Sequence, residues 1–119
     1  MGTNFEAADV ARLYREAREI TGASQEEVAE RATAYLLAAA RGSVAWAAGG
    51  SEIEVERHFV ARVETVGSVG WSRPATRIRA RALAESLGVE WADVLVAAGM
   101  LVQEDLGGPA PAIARPARR

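Results

Sequence analysis

Residues 83–95 have the sequence LAESLGVEWADVL, and this stretch decides the fold that we expect. The apolar residues of its first half lie three and four apart, which is the spacing of an inward helical face. Gly88 has the place of a glycine that ends a helix, and a helical pattern resumes over residues 90–98. Two helices joined by a tight turn are therefore predicted to close the domain.

Upstream of this stretch, three Ser/Thr-x-x-Glu patterns mark helix starts, because each can form a capping box. They begin at Thr3, Ser24 and Ser51. Gly22 suits the end of the first helix, and Pro74 suits the first turn of another. The sequence therefore predicts an all-α fold, a compact bundle of five to six helices.

The spacing of the apolar residues assigns an inward face to the first helix and predicts a further helix downstream. The predicted inward face of the first helix consists of Val10, Leu13, Tyr14, Ala17 and Ile20. Its predicted solvated side carries Arg12, Arg15, Arg18 and Glu19. A third helix is predicted over residues 51–66. The β-branched residues of 59–66 leave a strand as the alternative there, although the spacing favours a helix.

Composition argues against several classes of function. The chain of 119 residues has no Cys, which excludes disulfides and thiolate metal sites, and its single His, His58, excludes a multi-His metal site. The glutamate pairs stand at helix starts, where they favour the positive end of the helix dipole. Neither a Walker-type loop nor a GxSxG motif is present. We therefore expect no enzyme activity, no cofactor and no metal.

The sequence also carries no targeting signal that we can identify. No apolar run reaches the roughly 18 residues that span a bilayer, and no basic and apolar leader stands at the N-terminus. We expect a cytoplasmic protein without a membrane partner.

Charge is distributed unevenly along the chain, although the formal net charge is only −2. Residues 1–56 carry a net charge of −5, and residues 57–81 carry +5 from six Arg and one Glu. A local basic segment can bind phosphate in an acidic chain, because salt screens charges beyond about 8–10 Å. The segment 57–81 is therefore the candidate nucleic-acid contact.

Candidate DNA-contacting residues follow from this segment and from the start of the second helix. The candidates for base contact share one face of the third helix: Arg57, His58 and Arg62. The candidates for phosphate contact are Gln25, Arg73, Thr76, Arg77 and Arg81. Arg79 belongs to the same arginine cluster but points elsewhere. The alternative is a solvated charged surface, in which Glu54 and Glu56 pair with the arginines.

The order of these motifs resembles the Cro/repressor-like (XRE) helix-turn-helix family. The similar residues are Leu13 to Gly22, Ser24-Gln25-Glu26-Glu27-Val28-Ala29, Arg62-Val63-Glu64 with Gly67, Arg73-Pro74, Leu83 to Val89, and Val94-Leu95. The resemblance covers about residues 8–100 and implies a helix-turn-helix fold of lambda-repressor type that binds double-stranded DNA. It implies that Gln25, Arg57, His58 and Arg62 face DNA and that Arg73 and Arg77 face its backbone.

The chain departs from this family at residues 33–51, an Ala-rich helical insertion where the family has a tight turn. Either the recognition helix lies at 51–66 after this insertion, or the Ala-rich segment displaces it. Trp46 in this insertion serves either dimerisation or the core. We expect one DNA-binding domain over residues 1–106 and a disordered basic tail over 107–119. A sequence-specific transcriptional regulator is expected, a repressor acting as a homodimer. The alternatives are a protein-interaction module, antitoxin-like or adaptor, and a small-molecule sensor or enzyme that uses the apolar segment 33–48.

Overall fold

The computed structural model describes residues 7–67, 70–71 and 73–99, and in these residues the chain forms five α-helices and no β-strand. In chain order the helices are α1 (Ala7–Thr21), α2 (Gln25–Arg41), α3 (Arg57–Thr65), α4 (Pro74–Leu87) and α5 (Trp91–Ala97). Two short 3-10 turns, Ala45–Ala47 and Gly50–Glu52, lie between α2 and α3. The predicted all-α fold is confirmed. The predicted capping box at Thr3 and the tail 107–119 lie outside the described residues.

Local signals fixed four helix ends as predicted. The Ser24 hydroxyl accepts a hydrogen bond from the Glu27 amide at 3.1 Å, and the Glu27 carboxylate accepts one from the Ser24 amide at 2.8 Å. Gly88 ends α4 with a φ of 81°, a left-handed conformation that costs glycine little. Gly22 follows α1 with a φ of 74°, and Pro74 occupies the first turn of α4.

The core lies where α2 packs against α4 and α1 packs against α3, and α5 closes it against α1 and α4. Its largest fully buried side chains are Tyr14, Leu36, Leu83, Val10, Val28, Val55, Val60, Val63 and Val94. Tyr14 donates a hydrogen bond to the Ala80 carbonyl oxygen at 2.7 Å, which satisfies the one polar atom of this side chain. Burial raises the pKa of Tyr14, so the phenol stays protonated.

The third helix begins later than predicted, and the capping box expected at Ser51 is wrong. Residues 53–56 are extended, and α3 starts only at Arg57. The Thr33 hydroxyl of α2 accepts a hydrogen bond from the Val55 amide at 2.9 Å and lies 3.1 Å from the Val55 carbonyl oxygen. This contact holds Val55 against α2 in an extended conformation, so a helix cannot pass through it.

Two residues of α1 lie on the opposite side from the one predicted. Ile20 is 85% exposed, and Arg18 is half-buried. Both lie about 80° around the helix from Val10, on opposite flanks of the stripe. Only the Arg18 flank meets α3, where a buried carboxylate pairs with the guanidinium. The flank that holds Ile20 faces outward.

The Ala-rich insertion extends α2 and then turns back onto the bundle. α2 runs on to Arg41, which confirms the longer second helix. Gly50 is buried beside Leu36: a Cβ on Gly50 would lie 2.6 Å from the Leu36 Cδ1 atom. Trp46 is half-buried against the core and stacks on Tyr35, with ring centroids 6.4 Å apart. The insertion is therefore part of the packed domain.

Candidate nucleic-acid interface

The outer face of α3 carries the three predicted base-contacting residues. Arg57 and His58 occupy the first turn and Arg62 the last, and all three are exposed, while Val60 and Val63 bury the opposite face. The His58 Nδ1 atom lies 3.0 Å from a carboxylate oxygen of Glu56. The predicted division of this helix into an inner and an outer face is confirmed for these residues.

A cleft of about 270 Å³ joins this face of α3 to the first turns of α4, and we call it the basic cleft. It is lined by Glu56, His58, Phe59, Arg62, Arg73, Thr76 and Arg79. Three arginines, one histidine and one glutamate therefore line the same cleft. Residues predicted separately as base-contacting and phosphate-contacting meet in this cleft.

The turn before α4 places Arg73 at this cleft. The Trp71 indole is 8% exposed and donates to the Gly67 carbonyl oxygen at 2.9 Å, which anchors the turn in the core. Gly70 has a φ of 78°, and its carbonyl accepts from the Arg73 amide at 3.0 Å. Pro74 disfavours a helical conformation at the residue before it, so Arg73 is extended and exposed.

The other predicted phosphate-contacting residues of α4 divide between two sides of the helix. Thr76 lines the basic cleft but is only 6% exposed. Arg77 and Arg81 share the other side, where Arg77 donates to the Trp71 carbonyl oxygen at 2.8 Å and Arg81 to Glu85 at 2.8 Å. Arg79 donates to the Glu54 carbonyl oxygen at 2.9 Å. The structure therefore brings Arg73 and Thr76 to the α3 face, but not Arg77 or Arg81.

Gln25 belongs to a buried polar cluster that ties three helices together. Glu64 of α3 is 4% exposed and receives Arg18 of α1 at 2.7 and 3.0 Å, one guanidinium nitrogen on each carboxylate oxygen. Gln25 of α2 donates to the same carboxylate at 3.1 Å. The hydrogen bond to Glu64 raises the pKa of Arg18, although burial opposes the change. This cluster fixes the start of α2 beside the end of α3.

Sequence reasoning missed the roles of Arg18 and Glu64. Arg18 was assigned to the solvated side of α1, and Glu64 received no role. One signal was present, because Glu64 is the only acidic residue in the basic segment 57–81. A lone carboxylate in a segment with six arginines is therefore a candidate for pairing with an arginine.

Arg57 borders a second groove of opposite charge, which we call the acidic groove. It measures about 660 Å³ and lies between α2 and the extended segment that precedes α3. Its acidic lining residues are Glu26, Glu30, Glu52, Glu54 and Glu56. Among the described residues, no group of His, Asp or Glu side chains is arranged to hold a metal ion. Arg57 therefore stands beside several carboxylates, whereas the described lining of the basic cleft around Arg62 and Arg73 includes one, Glu56.

We infer the function of this chain from the geometry of its clefts, for the following reason. No family model, curated protein or solved structure matches this chain. None of the helices in the described part of the chain combines the length and apolar character needed to cross a bilayer.

Proposed function

We propose that this chain is a sequence-specific transcriptional regulator that binds double-stranded DNA, a repressor of the Cro/repressor-like (XRE) helix-turn-helix type. In this proposal α2 and α3 form the helix-turn-helix pair, and residues 42–56 replace the tight turn between them. The observation that carries the proposal is the basic cleft, where the outer face of α3 meets the start of α4.

The chemistry of the basic cleft suits the two kinds of contact that DNA recognition needs. Arg62 and His58 stand on an exposed helix face, from which an Arg reaches guanine O6 and N7 in the major groove. Arg73 stands at the start of α4, where the free amides of a helix N-terminus also favour phosphate. In this proposal Gln25, which is half-buried at the start of α2, contacts phosphate while it bonds Glu64.

A titration of labelled duplex DNA across a salt series tests this proposal by fluorescence anisotropy. We expect tight binding at low salt and a steep decrease in affinity as salt rises, because bound cations are released from the phosphates. Arg73→Gln should weaken binding to all sequences and reduce the salt slope by about 1. Arg31→Gln removes the same charge from an exposed site on α2 that borders none of these clefts, and it should change neither. No binding at low salt would contradict the proposal.

We also propose that the regulator acts as a homodimer, since two-fold symmetry suits a palindromic operator. The insertion supports this, because it exposes two large apolar side chains, Tyr35 and Val44. Sedimentation equilibrium measures the mass directly. Val44→Lys should shift a dimer to monomer, and a mass that stays monomeric at all concentrations would contradict this part of the proposal.

The acidic groove favours a second candidate function, a protein-interaction module. Five glutamates surround an opening that the insertion helps to form, and this charge suits a basic peptide segment rather than DNA. The two functions differ in their response to the DNA titration. Saturable DNA binding that depends on Arg73 supports the regulator, and an inert response leaves the interaction module as the better candidate.

A further inference from the structure

A second cleft lies on the side of α4 opposite the basic cleft, and we call it the aromatic cleft. It measures about 550 Å³ and is bounded by α4, α5 and the insertion. Trp46 and Trp91 form its apolar walls with Ile78 and Leu95, and Arg77 and Arg81 supply its charge. This volume and this mixture of aromatic walls with a few charged groups are typical of small-ligand sites, which span about 300–1,000 Å³.

The aromatic cleft is held in shape by a closed set of four side chains. Arg81 donates to one oxygen of Glu85 at 2.8 Å, and the Tyr35 hydroxyl donates to the other at 2.6 Å. Tyr35 stacks on Trp46, and the Arg81 guanidinium carbon lies 4.9 Å from the centroid of the Trp46 ring. The Trp46 ring and the Arg81 charge are therefore positioned before any ligand arrives, which lowers the entropic cost of binding.

Arg77 is positioned independently of that set. Arg77 lies four residues before Arg81 on the same side of α4. One of its terminal nitrogens donates to the Trp71 carbonyl oxygen at 2.8 Å. Two guanidinium groups thus lie along one wall, and the described residues that line the aromatic cleft include no acidic side chain, although Arg81 is already paired with Glu85. Guanidinium pairs of this kind bind carboxylates through charge-assisted hydrogen bonds, and indole rings stack on flat aromatic groups.

We propose that the aromatic cleft binds a small planar aromatic carboxylate, with its ring against Trp91 and beside Trp46, which Tyr35 and Arg81 already contact, and its carboxylate on Arg77 and Arg81. The site shares no lining residue with the basic cleft. Its occupation therefore does not depend on the proposed DNA binding, and failure of either proposal leaves the other intact.

Naphthoate is the probe, and the indole N–H signals of the full chain in proton–nitrogen correlation spectra are the readout. The signals of Trp46 and Trp91 should shift and saturate as naphthoate is added. The Trp71 signal should stay in place, because its indole is buried and bonded to Gly67. Trp→Phe variants assign the three signals.

Two matched compounds and three variants test the contributions of the aromatic ring and of the charge separately. Naphthamide keeps the ring without the charge, and cyclohexanecarboxylate keeps the charge without the aromatic ring. Arg77→Gln and Arg81→Gln should each bind naphthoate about tenfold more weakly, the loss of roughly one charged hydrogen bond. Arg77→Gln should leave any naphthamide binding unchanged, and Arg31→Gln should match the wild type. Arg77 does not belong to the closed set of four side chains, so Arg77→Gln tests the contribution of the charge without disturbing Trp46.

Three results would overturn the proposal. Equal affinity for naphthamide and naphthoate would show that the cleft does not select an anion. Absence of a saturable shift at Trp46 and Trp91 would show that it holds no such ligand. Shifts of these two signals on dilution of the protein alone would show that a second copy of the chain covers the cleft.

Discussion

At the scale of single residues, the most consequential side chain is the buried carboxylate of Glu64. The carboxylate receives donors from two helices, Arg18 of α1 and Gln25 of α2, and Arg15 of α1 donates to the Glu64 backbone carbonyl oxygen at 3.1 Å. A paired ion in the interior is weak evidence for added stability, but removal of one partner strands the other charge. We therefore expect the position of α3 relative to α2 to depend on the contacts of this one side chain.

Glu64→Gln tests that dependence. The substitution keeps the shape of the side chain but leaves the half-buried Arg18 guanidinium without its counter-charge, so the free energy of unfolding should fall by about 3 kcal/mol. Urea denaturation measures the change. Glu26→Gln, an exposed glutamate in the first turn of α2, should cost less than about 1 kcal/mol. Equal losses in the two variants would show that the Glu64 cluster adds nothing.

Glu85 carries a pH dependence that can be measured at the same scale. Burial acts to raise the pKa of Glu85, but hydrogen bonds from Tyr35 and Arg81 outweigh it and hold the pKa below its usual value. The carboxylate therefore stabilises the folded state fully above its unfolded pKa of about 4.3, and this contribution is lost as the pH falls through the lower folded value.

The comparison of wild type with Glu85→Gln isolates this contribution. The difference between their free energies of unfolding should be largest near neutral pH and should shrink as the pH falls below about 4.3. Urea denaturation at several pH values gives the curve. A difference that stays constant down to strongly acidic pH would mean that the Glu85 carboxylate has no favourable partners.

At the scale of elements, the helix ends that the sequence predicts are those that neighbouring residues determine. The Ser24 capping box, Gly22, Pro74 and Gly88 all act within one turn of the backbone, and all four lie where predicted. The start of α3 does not follow from local sequence. It depends on a hydrogen bond between Thr33 and Val55, 22 residues apart, which no local pattern contains.

The features of the candidate site also separate into those that local sequence predicts and those that it does not. The exposed face of α3 follows from helical spacing, and so does the separation of Arg79 from Arg77 and Arg81 on α4. The meeting of Arg62 with Arg73 in one cleft, and the pairing of Arg18 with Glu64, depend on how helices distant in sequence pack. The local sequence does not show how helices that are distant along the chain pack against one another.

Thr33→Val tests the contact that delays α3. Valine has nearly the shape of threonine, so the main change is the loss of a partner for the Val55 amide and carbonyl. The free energy of unfolding should fall by about 1–3 kcal/mol. The Val55 amide should also exchange faster with solvent. Thr65→Val at the exposed end of α3 is the matched control and should change neither quantity. Unchanged exchange at Val55 would contradict the assigned role of Thr33.

At the scale of the whole molecule, charge is arranged as two adjoining surfaces of opposite sign. The basic cleft and the acidic groove share Glu56, and they meet at the start of α3. A polyanion is attracted to one surface and repelled by the other, so the boundary between them limits its path. Duplex DNA is expected to lie across Arg62 and Arg73 and to avoid the groove beside α2.

This arrangement predicts different outcomes for three arginines in DNA binding. Arg62→Ala should reduce the preference for a selected operator over random duplex by about 1–3 kcal/mol, because it removes a base contact. Arg73→Gln should weaken both complexes alike. Arg77→Gln should leave the salt slope unchanged, because Arg77 faces the aromatic cleft. Anisotropy competition measures all three, and an effect of Arg77→Gln equal to that of Arg73→Gln would place the bound DNA on the wrong side of α4.

One helix, α4, is the wall between the basic cleft and the aromatic cleft, with Arg73 on one side and Arg81 on the other. A ligand on one side that displaced this wall would also change the site on the other side. Equilibrium then imposes reciprocity: the factor by which naphthoate changes the Kd for DNA must equal the factor by which DNA changes the Kd for naphthoate. A thermodynamic cycle measured in either order therefore gives the coupling free energy between two chemically unlike ligands on opposite sides of α4.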